Sequence, residues 1–154
     1  MGDDVPTVYA WAGGRAAFDR LTEEFYRRVR DDDVLAALFA DMPAEHPQHV
    51  ATWLAEVFGG PADYTAHHGG YPHMLAKHLG LAITERQRVR WVHLICEAAD
   101  AAGLPDDPEF RSAFVAYVEW GTRLAMSNSQ PGASPPPAAP VPRWGWGEAP
   151  PYIG

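Results

Sequence analysis

The sequence predicts an all-α fold, on the basis of three observations. Apolar residues recur at three- and four-residue steps through most of the chain, as they do on the buried faces of amphipathic helices. No segment shows the long alternation of apolar and polar residues that is typical of a half-buried strand. A chain of 154 residues, 47% of them hydrophobic, suits one globular domain with a substantial core.

The first half of the chain contains three predicted helices. The first carries the apolar stripe Phe18, Leu21, Phe25 and Val29, after a turn at Gly13-Gly14. The next is a short helix, capped by a carboxylate of Asp31-Asp32-Asp33 and ending with Phe39 facing inward. The third places a histidine on its apolar face, which consists of His46, Val50, Trp53, Leu54 and Val57. Pro47 falls in its first turn, where a missing N–H is tolerated.

Three more helices are predicted in the second half. A loop that contains Tyr64 leads to a short helix that starts at Pro72 and reaches His78. Thr84 and Gln87 stand at the two ends of a capping box, S/T-x-x-E/Q, which begins a helix that stops near Gly103. The last helix opens at Asp107-Pro108 and ends near Asn128.

The composition changes after the last predicted helix. Residues 129–154 hold eight of the fifteen prolines and only two charged residues, so this segment cannot continue a helix. We therefore divide the chain into a helical domain, residues 1–128, and a Pro-rich tail, residues 129–154, that is disordered or loosely docked. Disordered segments are normally poor in aromatic residues, so Trp144, Trp146 and Tyr152 leave two interpretations open: a solubilising extension, or a segment that docks on a partner or back on the helical domain.

Charge and cysteine content exclude several function classes. The net charge is −8 and no cluster of basic residues stands out, so nucleic acid is not expected as a partner. Cys96 is the only cysteine, which excludes an internal disulfide, a CxxC zinc knuckle and the CxxCH attachment of c-type haem. No stretch approaches the ~20 apolar residues of a membrane span, and the N-terminal segment is acidic, so we expect a cytoplasmic protein without membrane association.

Polar-tipped side chains interrupt the predicted apolar stripes at Tyr26, His46, His78 and Trp91. Burying such a group without a partner costs roughly 1–3 kcal/mol. One buried ligand would satisfy all four together, whereas in the alternative interpretation each tip meets its own backbone carbonyl or water. Met74 lies one turn before His78 and would share its face.

Other chemistries have less support in the sequence. His67, His68 and His73 are close enough for a zinc site, but no carboxylate or thiolate joins them at ligand spacing and HExxH is absent. We interpret them as solvated loop residues. There is no G-x-S-x-G elbow and no phosphate-binding glycine loop, and Cys96 has apolar neighbours that would keep its thiol inert.

Several motifs, taken in order, resemble those of the truncated haemoglobins, and within that family the second group. The resemblance covers roughly residues 8–128 and depends on these motifs: Phe25-Tyr26, Phe39, Gly59-Gly60-Pro61 with Tyr64, Pro72 through Lys77-His78, and Trp91. It implies the truncated globin fold, a 2-on-2 helical sandwich around one haem b. The absence of CxxCH implies that this haem is held non-covalently.

The resemblance also implies roles for individual residues. His78 corresponds to the proximal iron ligand, Tyr26 to a residue that hydrogen-bonds the bound ligand, and Trp91 to a residue over the distal haem face. Phe39 packs on the porphyrin in place of the tyrosine that many relatives carry, and Lys77 faces a haem propionate where relatives often carry arginine. His46 and Val50 fall beside the ligand, and the remaining residues expected at the haem are Trp53, Leu54, Tyr64 and Met74.

The function implied is reversible binding of oxygen, or of another diatomic molecule such as NO or CO, for storage, delivery or sensing. O–H and N–H donors near the iron strengthen oxygen binding, because bound oxygen acquires negative charge. The alternative is a redox enzyme, an NO dioxygenase or a peroxidase-like protein, that depends on an external reductase. Both monomers and homodimers occur in the family, and the sequence does not choose between them.

Overall fold

The computed structural model describes residues 5–136 and 138–151. Within these ranges the protein contains seven helices and no strand, which confirms the all-α prediction: α1 Val8–Ala12, α2 Arg15–Arg30, α3 His46–Val57, α4 Asp63–His67, α5 Gly70–His78, α6 Glu85–Ala101 and α7 Pro108–Asn128. None of these helices is both long enough and apolar enough to span a membrane.

Two pairs of helices pack on each other to form a helical sandwich. Helix α2 packs against α3 to form one pair, α6 packs against α7 to form the other, and the contact between α2 and α6 joins them. The stripe predicted for α2 is fully buried in this core, from Phe18 to Val29. Helices α4 and α5 lie outside the sandwich, where α4 packs on α3 and α5 packs on α7.

The helix ends predicted from capping motifs agree with the structure. The Thr84 hydroxyl accepts a hydrogen bond from the Gln87 backbone N–H at 3.1 Å, and the Gln87 side chain accepts one from the Thr84 N–H at 2.9 Å. Asp107 caps α7 by accepting the N–H of Phe110 at 2.9 Å. Gly103, with φ of +72°, follows the end of α6. These ends were predictable because each cap joins residues close in sequence.

The short helix predicted before Phe39 is not a regular helix. Asp32 does act as the predicted cap, since its Oδ2 accepts the N–H groups of Val34 and Leu35 at 3.0 Å. The following residues form hydrogen-bonded turns, including the Leu38 N–H to the Leu35 carbonyl at 3.0 Å. Pro43 has no N–H to donate to the Phe39 carbonyl four residues earlier, so a regular helix cannot continue through this segment.

The loop predicted around Tyr64 contains helix α4. Glu56, on α3, is only 4% exposed, and its carboxylate accepts the Thr65 N–H at 2.9 Å and the Thr65 hydroxyl at 2.5 Å. A partner nine residues away supports this short helix, so local periodicity could not reveal it. Helix α5 begins at Gly70, two residues before the predicted start at Pro72.

The described part of the Pro-rich tail contacts the helical domain. The Trp144 backbone N–H donates to the Val57 carbonyl at 2.8 Å, and the Trp146 indole N–H donates to the Pro6 carbonyl at 2.7 Å. Both indole rings also pack against the hydrophobic core. Tyr152, the third aromatic residue of the tail, lies outside the described residues.

Candidate functional site

A cavity of about 240 Å³ lies among α2, α3, α5, α6 and α7. It is lined by all eleven residues that the sequence places at the predicted haem, and these come from six different segments of the chain: Tyr26, Phe39, His46, Val50, Trp53, Leu54, Tyr64, Met74, Lys77, His78 and Trp91. The structure therefore brings the predicted site together, and the role of each residue toward haem stays a prediction.

His78, in the last turn of α5, has a defined tautomer. Its Nδ1 lies 2.9 Å from the backbone carbonyl oxygen of Met74. A carbonyl oxygen only accepts, so Nδ1 carries the proton and the lone pair of the neutral ring is on Nε2. Burial lowers the pKa of His78, with the hydrogen bond to Met74 acting in the opposite direction and the charge of Lys77 adding to the lowering. The neutral ring is the form that binds a metal ion.

Aromatic rings surround Tyr26 in another part of the cavity. The His46 ring stands nearly perpendicular to the Tyr26 ring at 5.2 Å, and the Phe39 ring does so at 5.8 Å. Phe25 contacts both Tyr26 and Trp91 at 4.8 Å and so connects α2 to α6 behind the cavity. Tyr26 is 1% exposed, and burial raises its pKa far above the ordinary range. Its hydroxyl is therefore a protonated donor at any physiological pH.

His46 is neutral in this environment. Burial is the main cause of a pKa lowered to about 4, and the positive charge of the Lys77 ammonium lowers it further. The half-buried Lys77 side chain lines the same cavity. A cation at this edge of an apolar cavity is suited to an anionic group, which agrees with the role predicted for Lys77.

A buried hydrogen bond between two aromatic residues forms a further part of the wall. The Trp53 indole N–H donates to the Tyr117 hydroxyl at 2.8 Å, and the Tyr64 ring stands perpendicular to Trp53 at 5.1 Å. Burial raises the pKa of Tyr117 to about 12, although the hydrogen bond from Trp53 acts in the opposite direction. The pair therefore fixes α3 against α7 next to the cavity.

The remaining predicted residues are apolar side chains of the wall. Leu54 is buried, whereas Val50 and Met74 are half-buried and pack against the hydrophobic core from opposite helices, α3 and α5. Because these side chains are apolar, the cavity suits a large apolar ligand that makes only a few polar contacts.

Several cavity residues were not predicted from the sequence. Tyr117 and Gly121 lie on the α7 stripe, which the sequence predicts only as a core-facing surface. His49 lies one turn after His46, and this spacing was the signal that could have indicated it. Arg88 and Pro142 also line the cavity, and no local pattern indicates either of them.

The loop histidines do not form a metal site in the described part of the chain. No three His, Cys, Asp or Glu side chains come together there at ligand distance. His67 and His73 are exposed, and His68 packs on His49 with a ring separation of 4.4 Å.

Comparison with known proteins identifies the family. The family model for bacterial-like globins matches residues 7–119. The group 2 truncated haemoglobin of Bacillus subtilis is 31% identical over 130 residues, which is 84% of this chain and 96% of that protein. The chain belongs to the truncated haemoglobins of the second group.

Solved structures support the same fold for this truncated haemoglobin. A haemoglobin from the thermophilic phototrophic bacterium Chloroflexus aurantiacus superimposes with a TM-score of 0.70 and 32% identity, covering 79% of this chain and 98% of the other. The truncated oxygen-avid haemoglobin of Bacillus subtilis superimposes with a TM-score of 0.70 and 26% identity, covering 79% of this chain and 99% of the other.

Proposed function

We propose that this truncated haemoglobin holds one haem b non-covalently and uses it to bind oxygen, or another diatomic molecule such as NO or CO, reversibly. The observation that carries the proposal is the tautomer of His78. A neutral imidazole whose Nδ1–H donates to the Met74 carbonyl has its Nε2 lone pair available for iron. The same hydrogen bond fixes the ring orientation and makes Nε2 more basic.

The lining of the cavity fits haem. Its walls are largely aromatic and aliphatic, as a flat macrocycle requires, and Lys77 supplies a charge partner for a propionate. Haem would be held through its iron by His78, and when bound it would supply an iron able to take up a diatomic ligand reversibly. We expect Phe39 to pack on the porphyrin, and the remaining apolar residues of the wall to do the same: Val50, Trp53, Leu54, Tyr64 and Met74.

Hydrogen-bond donors in the cavity favour a ligand that acquires negative charge. The Tyr26 hydroxyl and the Trp91 indole can each donate one such bond, and His46 is close to Tyr26. Because Phe39 carries no hydroxyl, we expect retention of the ligand to depend on Tyr26 and Trp91. The similarity to a Bacillus subtilis protein described as oxygen-avid supports this choice of ligand.

Replacement of His78 tests the proposal directly. The purified wild-type protein should show the Soret band of a haem protein, His78→Gly should lose most of it, and added imidazole should restore it, because imidazole replaces the missing ligand. His73→Gly is the matched control, since His73 lies on the same helix but is exposed. A Soret band unchanged in His78→Gly, or a colourless wild-type protein with bound zinc, would overturn the proposal.

A further inference from the structure

The C-terminal strap, defined here as Val141–Trp146, lies beyond the last helix and is hydrogen-bonded to two distant parts of the chain. Its centre is attached to the end of α3 by the hydrogen bond from the Trp144 N–H to the Val57 carbonyl, 2.8 Å. Its end is attached near the N-terminus by the hydrogen bond from the Trp146 indole to the Pro6 carbonyl, 2.7 Å. Val141 is buried with the core.

The chain that leads to the strap is anchored where it leaves α7. Ser129, directly after α7, is fully buried, and its carbonyl accepts the Ala82 N–H at 2.8 Å while its hydroxyl accepts the Ile83 N–H at 2.9 Å. Several prolines lie between Ser129 and the strap. Each restricts its own backbone, which reduces the conformational entropy that the segment loses when it docks. Ser129 therefore anchors the start of this stretch, and the strap anchors its end.

Trp144 packs on the outer side of the aromatic pair in the cavity wall. Its ring lies 5.6 Å from Tyr117 and 5.5 Å from Trp120, and Tyr117 accepts the hydrogen bond of Trp53. Gly121 leaves room for this arrangement, because a Cβ there would approach the Tyr117 ring to 3.2 Å. Trp144 therefore holds the Tyr117 ring from outside, while Trp53 holds it from inside.

Pro142 lines the cavity itself, together with residues of α7. We infer that the C-terminal strap is a haem-retaining element, in which Pro142 completes the cavity wall and Trp144 positions the Tyr117–Trp53 pair. This inference rests on the proposed haem function. Trp144 acts through Tyr117 and is a positioning residue, whereas Pro142 is a residue of the binding wall.

The rate of haem loss tests the inference. Transfer of haem from the full-length, haem-loaded protein to excess apomyoglobin should be about tenfold faster in Trp144→Ala, because two aromatic contacts of the wall are lost. Arg143→Ala is the matched control, since this neighbouring side chain is exposed. Pro142→Gly should accelerate haem loss while leaving the Trp144 contacts in place.

A second readout separates positioning from general destabilisation. The exchange of the Trp53 indole N–H with solvent, followed by NMR in the CO-bound ferrous protein, should be slow in the wild type and in Arg143→Ala but fast in Trp144→Ala. Trp144→Phe should restore slow exchange, because a ring again supports Tyr117. Equal haem loss in Trp144→Ala and Arg143→Ala, with unchanged indole exchange, would overturn the inference. A wild-type protein with no Soret band would instead contradict the proposed function on which it rests.

Discussion

Tyr26 places a protonated hydroxyl, buried with its ring, in a cavity that is otherwise largely apolar. Removing it should weaken retention of a polar ligand. In Tyr26→Phe and in Trp91→Phe we expect oxygen to dissociate about tenfold faster or more, because a hydrogen bond to a charge-bearing group contributes roughly 1.5–3 kcal/mol. Stopped-flow displacement of oxygen by CO measures the rate. Tyr9→Phe is the control, since Tyr9 does not line the cavity. Unchanged rates in both variants would show that the donor assignment is wrong.

His46 allows a prediction of pH dependence. Its pKa, lowered to about 4 mainly by burial, keeps the imidazole neutral until the pH falls toward that value. The oxygen dissociation rate should therefore stay flat between pH 8 and pH 6 and change only in more acidic solution. Stopped-flow measurements across this range, with His46→Leu as the reference, test the prediction. A titration step near pH 6.5 that disappears in His46→Leu would contradict it.

Among the elements of the fold, the junction of α3 and α4 depends on one buried carboxylate. Glu56 accepts two hydrogen bonds from Thr65, and α4 carries Tyr64 to its position against Trp53. In Glu56→Leu the backbone N–H and the hydroxyl of Thr65 lose their acceptor, and we expect the free energy of unfolding to fall by about 1–3 kcal/mol, because two hydrogen bonds to the buried end of Glu56 are lost. Urea denaturation of the haem-loaded protein measures the loss.

Glu56→Gln serves as the control at this junction. Glutamine has nearly the same shape and keeps an acceptor oxygen for the Thr65 N–H, so it should retain most of the stability that Glu56→Leu loses. Equal unfolding free energies for the wild type and Glu56→Leu would show that α4 is held in place by its apolar contacts alone.

At the scale of the whole molecule, the helices that line the cavity differ in how many of their residues are buried in the hydrophobic core. Seven residues of α2 are buried in the described structure, but only Gly70 and Leu75 of α5. We therefore expect haem removal to loosen α5 far more than α2, because α5 has few other buried contacts. Hydrogen–deuterium exchange with and without haem measures this. Equal protection of α5 in both forms would contradict the prediction.

At the same scale, two functions remain to be distinguished: reversible oxygen binding and a redox reaction at the haem. The redox alternative, with an external reductase, differs from reversible oxygen binding in that it requires electrons to reach ferric iron. Sustained NO consumption in the presence of a flavin reductase would favour the alternative. The reductase partner, the choice between monomer and homodimer and the cytoplasmic location all stay predictions.

The sequence by itself determined the helices that have local signals. The stripe in α2, the capping box at Thr84 and the cap at Asp107 each involve residues within a few turns, so their pattern is visible along the chain. The family motifs then indicated eleven residues that share the cavity. Local spacing alone could not distinguish His78 from a core histidine whose ring nitrogens form hydrogen bonds within the protein.

Tertiary structure decided the features whose partners are distant in sequence. Helix α4 depends on Glu56, the course of the C-terminal strap depends on Val57 and Pro6, and Pro142 reaches the cavity only because the strap docks. A Pro-rich segment has no hydrophobic periodicity from which its position on the domain could be predicted. Its position is set by the hydrogen bonds and aromatic contacts that the folded domain offers, and these exist only after the helices have packed.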